Sequence, residues 1–120
     1  MSKILLAHPS GYGGDDLKWF LEEEGHSVNW YQFRDQVRAM YDNIPEYDVA
    51  IVDRCINGSP AEKGSMGLDC DDVVKKLKQV HPKKKVICLT HIHDPCKYAD
   101  KNLGIITEGI LEELLEEVKI

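Results

Sequence analysis

The apolar positions of this sequence fall into two alternating rhythms. Short runs bounded by turn residues recur at Lys3–Ala7 (KILLA), His26–Tyr31 (HSVNWY), Tyr47–Val52 (YDVAIV), Lys85–Thr90 (KVICLT) and Leu103–Thr107 (LGIIT). Their shortness, β-branched content and lack of strict polar alternation predict strands covered on both faces. Between them the spacing is helical. Leu17, Phe20, Leu21 and Glu24 follow the pair Gly13–Gly14, and Phe33, Val37, Met40 and Tyr41 form the next stripe, with Pro45 beyond it. Asp69 can cap a third helix whose buried face is Val73, Val74, Leu77 and Val80; acids lead it and lysines trail, as the helix dipole favours. Ile110, Leu111, Leu114, Leu115 and Val118 share one face of a last helix, with Thr107 as its cap.

Alternation of this kind implies right-handed crossovers and an α/β fold. The predicted architecture is a flavodoxin-like, doubly wound, five-stranded parallel sheet of order 2-1-3-4-5. Only His91 to Asn102 separate the fourth and fifth runs, so Pro95 and the polar KYADKN stretch leave room for no more than a shortened fourth helix. With no internal repeat or linker, residues 1–120 read as a single domain. In such folds ligands sit beyond the carboxyl ends of the strands, which here supply His8, Asp53, Thr90 and Thr107.

Composition narrows the function. A chain 42% hydrophobic and 30% charged is an ordinary globular one. Its 15 basic and 21 acidic residues give a net charge of −6, which argues against a general nucleic-acid surface; the run Lys83–Lys85 reads as a solvated loop. The cysteines at 55, 70, 88 and 96 form no C-x-x-C pair and are expected as free thiols in a reducing cytoplasm. MSKILLAHPS contains too short an apolar run for a signal peptide or membrane span, so no membrane association is expected.

The segment DVAIVDRCINGSP, residues 48–60, ends an apolar strand on Asp53. A carboxylate there can take up a phosphoryl group, ligate a cation, or cap the loop through the amides of Asn57 or Gly58. Asp53 closes the third run, LDCDD opens the third helix, VICLTH places Thr90 at the end of the fourth run, and FLEEEGHSVNWY and LGIITEGILEELLEEV frame the chain. This ensemble resembles a response-regulator receiver domain, the family that includes the chemotaxis single-domain regulators, along the whole chain. The resemblance implies that Asp53 is phosphorylated, that Thr90 is the hydroxyl reading the phosphoryl group, and that Mg²⁺ is the cofactor. It implies a signalling partner, either a histidine kinase or a downstream target, and a module that is not an enzyme. In receivers the surface around the fourth helix, fifth strand and last helix forms dimers or docks targets, so a homodimer is a further expectation.

Two departures qualify the resemblance. Where the family carries adjacent acids to hold Mg²⁺, LLAHPS places His8 and Pro9, and one imidazole and a proline do not replace two hard oxygen ligands. Asp15 and Asp16 instead decorate the first turn of the following helix. The family's lysine after the fifth strand is missing: GIIT is followed by Glu108, and Lys101 precedes the strand. The expectation is therefore an atypical, stand-alone receiver in phosphorelay signalling with Asp53 as candidate phosphoacceptor. Its alternative is a phosphorylation-independent interaction module on the same scaffold.

Two motifs compete. SGYGGDD, residues 10–16, lies where backbone amides can bind phosphate, but it matches neither G-x-G-x-x-G nor the P-loop and carries two acids; it reads as a loop beside the cleft, with a nucleotide site the lesser alternative. THIHDP, residues 90–95, is similar to the T-H-x-H-x-D-H motif of the metallo-β-lactamase family, with its aspartate spacing broken and its last histidine absent. A metal site built from His8 and Asp53, joined by His91 and His93, is the corresponding expectation. Cys55 and Cys88 read as small core fillers, and Trp19 and Trp30 as packing on helix and sheet surfaces.

Overall fold

The computed structural model describes residues 2–9, 13–32, 34–54, 68–90, 95–104 and 108–119. These form five strands, β1 (Lys3–Ala7), β2 (Ser27–Tyr31), β3 (Val49–Asp53), β4 (Lys85–Leu89) and β5 (Lys101–Leu103). The four helices are α1 (Gly14–Glu23), α2 (Arg34–Asp42), α3 (Cys70–Val80) and α4 (Glu108–Glu117). All strand pairs are parallel and the order is β2-β1-β3-β4-β5, as the apolar rhythm predicts.

Successive strand residues point to opposite faces, so each strand feeds two cores. Ile4, Leu6, Ile51, Ile87 and Leu89 pack with Leu17 and Leu21 of α1 and with Leu114 of α4 and Val118 just beyond it. Leu5, Ala7, Ala50, Val52, Val86 and Cys88 pack with Val37 and Met40 of α2 and with Val73, Val74 and Leu77 of α3. Each fully buried aliphatic side chain is worth roughly 1.5–3 kcal/mol of transfer free energy, so the two stripes together hold the helices to the sheet.

Local signals also behave as the sequence predicts. Asp69 caps α3: its Oδ1 accepts from the Asp72 amide at 2.8 Å, and the Asp72 side chain accepts from the Asp69 amide at 3.1 Å. Elsewhere the structure corrects the pattern. β5 overlaps the predicted run LGIIT only at Leu103 and begins at Lys101. Its polar centre has a reason: Asn102 Oδ1 accepts from the Cys96 amide at 2.9 Å, and Asn102 Nδ2 donates to the Cys96 carbonyl at 3.1 Å. Residues 95–100 form a turn, and among the described residues no helix lies between β4 and β5. Val80, expected in the core, is 43% exposed as the last residue of α3. Tyr47 covers that end of the helix instead, its hydroxyl donating to the Leu77 carbonyl at 3.0 Å. Trp19 stands out from α1 at 62% exposure and packs on neither core. The expected cap Thr107 and the stripe residue Phe33 lie outside the described residues.

Candidate functional site

The sheet itself determines what meets at its carboxyl edge. Asp53, the last residue of β3, stands opposite Leu89, the last of β4, and the Arg54 amide donates to the Leu89 carbonyl at 2.8 Å. Thr90 follows at once, its own amide donating to the Leu103 carbonyl of β5 at 2.8 Å. The carboxylate and the hydroxyl therefore leave from adjacent central strands. Thr90 is buried, whereas the Asp53 side chain keeps 19% of its surface exposed.

On the other flank of β3, His8 follows β1 and its amide donates to the Tyr31 carbonyl at 3.2 Å. Its ring is 2% exposed, with Nε2 3.2 Å from Asp53 Oδ2 and Nδ1 3.0 Å from the Pro9 carbonyl oxygen. Both facing atoms are oxygen acceptors, so each contact is made by a ring N–H that His8 donates. Trp30 fixes it from the β2 side, the indole Nε1 donating to the His8 carbonyl at 2.9 Å. Gly14 closes the pocket. A Cβ at that position would stand 2.6 Å from the Trp30 ring and 3.1 Å from His8 Nδ1, so the first residue of α1 must be glycine for the helix to approach.

This arrangement does not suit Mg²⁺, an ion that takes oxygen ligands in octahedral geometry. His8 turns a ring nitrogen toward Asp53, and Asp15 and Asp16 are exposed on the first turn of α1. Among the described residues, no third His, Cys, Asp or Glu joins His8 and Asp53 at metal-binding distance. Lys101 is turned toward α4, with Nζ 3.8 Å from Glu113 Oε1. His91, His93, Cys55, Asn57, Gly58 and the loop residues 10–12 lie outside the described residues.

Arg54, which sequence reasoning passed over, is 8% exposed and donates through Nη1 to Asp71 Oδ1 at 2.8 Å. Burial pushes the Asp71 carboxyl upward, with Cys96 adding to the shift and Arg54 opposing it. Beside this pair Cys70, Cys88 and Cys96 converge. Hydrogen bonds from Cys70 and Cys88 hold the Cys96 thiol low, while the contacts with Cys70 and Cys96, and then burial, push Cys88 up. The only early hints were a charged residue directly after Asp53 and a doubled glycine; nothing in the sequence singles out Trp30 as a partner of His8.

No protein-family model matches the sequence, and no curated protein matches it. Solved structures do. The response regulator TrrA from Thermotoga maritima, in complex with Mg²⁺ and BeF, superimposes with a TM-score of 0.73 at 19% identity, covering 99% of this chain and 100% of that one. A CheY-like receiver domain protein from Methanospirillum hungatei gives 0.70 at 19% identity, covering 98% and 94%. A receiver domain protein from Clostridium thermocellum gives 0.70 at 22% identity, again covering 98% and 94%. Among the described residues no helix is long and apolar enough to cross a membrane. With its strand order and whole-chain superposition, this chain has the fold of response-regulator receiver domains.

Proposed function

We propose that the chain is a receiver-type signalling module in which Asp53 accepts a phosphoryl group and Thr90 registers it. The supporting observation is the partly exposed Asp53 carboxylate at the end of β3, beside Thr90 at the end of β4, in a receiver fold. One Asp53 oxygen attacks phosphorus in line, an acyl phosphate forms, and the bond to the donor's leaving group breaks; the donor is a phosphohistidine or a small acyl phosphate. His8 Nε2 holds Oδ2 from 3.2 Å. The Thr90 hydroxyl donates to a phosphoryl oxygen and carries the change to the surface around β5 and α4, where a partner protein reads it. The module works in the cytoplasm, is not an enzyme, and does its chemistry without the usual Mg²⁺ oxygen set.

A second reading has its own support. The His8–Asp53 pair already occupies one carboxylate oxygen, which favours a phosphorylation-independent interaction module. Acetyl phosphate and beryllofluoride, each with and without Mg²⁺, separate the two. The first reading expects a one-phosphate mass gain and a shift in Trp fluorescence, both lost in Asp53→Asn. Intact protein that ignores both reagents establishes the second.

A further inference from the structure

We propose that Cys70, Cys88 and Cys96 form a thiolate site for a thiophilic divalent cation, zinc, on the α3 side of the sheet. Their sulfur atoms all lie within 4.8 Å of one another, and Cys70 Sγ and Cys88 Sγ are 3.4 Å apart. Two sulfurs bound to one zinc at about 2.3 Å and a tetrahedral angle stand about 3.8 Å apart. The 3.4 Å Cys70–Cys88 spacing lies close to that value, the third sulfur is within 4.8 Å of both, and all three thiols are free.

Buried cysteines commonly act as small apolar fillers, but filling does not require three of them to converge from three elements. Each is held by a separate device. Cys70 is the first residue of α3, set by the Asp69–Asp72 capping box. Cys88 lies within β4, in register with Val52 of β3 and Asn102 of β5. Cys96 is clamped in the turn before β5 by both hydrogen bonds of Asn102. That clamp explains a polar residue in the middle of a strand.

A buried ion pair flanks the cluster. The buried Arg54 guanidinium contacts Cys70, and Asp71, which pairs with it, contacts Cys96. The guanidinium thus stands beside the Cys70 sulfur, with its partner carboxylate fixing its orientation and facing Cys96. Soft sulfur donors select zinc over the hard Mg²⁺ of the receiver fold. The fourth position is left to water. A bound ion ties α3, β4 and the turn before β5 into one unit behind Arg54, the residue after Asp53.

The test uses the full chain, reduced and stripped of metal, titrated with cobalt chloride and then zinc chloride. One equivalent of cobalt is expected to give thiolate-to-metal charge transfer in the near ultraviolet and intense tetrahedral bands in the visible; one equivalent of zinc abolishes them. Zinc should also shield three of the four thiols from alkylation. Cys96→Ser, a near-isosteric change in the turn before β5, should lose the charge transfer while keeping its circular dichroism, and Cys88→Ser should lose it too. Asp53→Asn should keep it, which separates this site from the proposed phosphorylation. Folded, reduced protein that binds no cobalt at micromolar concentration overturns the proposal. So do bands that survive in Cys96→Ser, or oxidation to a Cys70–Cys88 disulfide as the only reaction of the cluster.

Discussion

The two faces of one sheet are built differently. Toward α1 and α4 the buried strand residues are aliphatic throughout: Ile4, Leu6, Val49, Ile51, Ile87, Leu89 and Leu103. Toward α2 and α3 the same strands offer Leu5 and otherwise alanine, valine and sulfur, and Tyr47, Cys70 and Cys96 join them. In β4 the contrast runs residue by residue, Ile87 and Leu89 on one side and Val86 and Cys88 on the other. One face is filled by bulk. The other gives up bulk to place groups with chemistry of their own, each of which needs a hydrogen-bonding partner or ligand nearby.

The sharpest challenge to that contrast is truncation on each face. Leu21→Ala, at a fully buried site in the aliphatic core, should lower stability by about 2–5 kcal/mol in denaturant unfolding. Cys88→Ala, measured reduced and metal-free, should cost clearly less, because it removes one sulfur and not three carbons. Equal losses would mean that the two faces do not differ in how far bulk holds them together.

Next in size is an alkaline effect confined to the α3 face. Burial, reinforced by Asp100, pushes the Tyr47 hydroxyl from 10.0 up to about 12. The unfolded chain therefore releases this proton first. Its contribution is intact below pH 10 and is lost as pH rises toward 12, a fall on the order of 2 kcal/mol. Unfolding curves across that window should show the slope in the native chain and a shallower one in Tyr47→Phe.

On the aliphatic face, Gly14→Ala should cost about 1–3 kcal/mol by driving a methyl against Trp30. The same variant should alter Trp30 fluorescence and perturb the His8 ring resonances, since both groups line the Gly14 contact. The smallest effect belongs to the capping box: Asp69→Ala should cost about 1 kcal/mol and should loosen Cys70, the residue it precedes.

How far the sequence could be read divides along similar lines. Periodicity depends on one element at a time, and it located four strands, the Asp69 cap, and the juxtaposition of Asp53 with Thr90, which needs only the strand order. It misjudged Val80 and Trp19, because an amphipathic stripe does not say where the partner surface stops. It shifted β5, because the strand begins on the polar Lys101 and Asn102 ahead of the apolar run, Asn102 serving a turn six residues earlier. The contacts among His8, Trp30 and Gly14, and those among Cys70, Cys88 and Cys96, join residues from separate elements. No spacing along the chain encodes such convergence, and a histidine or cysteine seen singly looks like core.

His8 carries one last consequence. A partner for the carboxylate that belongs to the polypeptide cannot be dialysed away. A chelator that strips divalent ions should therefore leave the contact between His8 Nε2 and Asp53 Oδ2 unchanged.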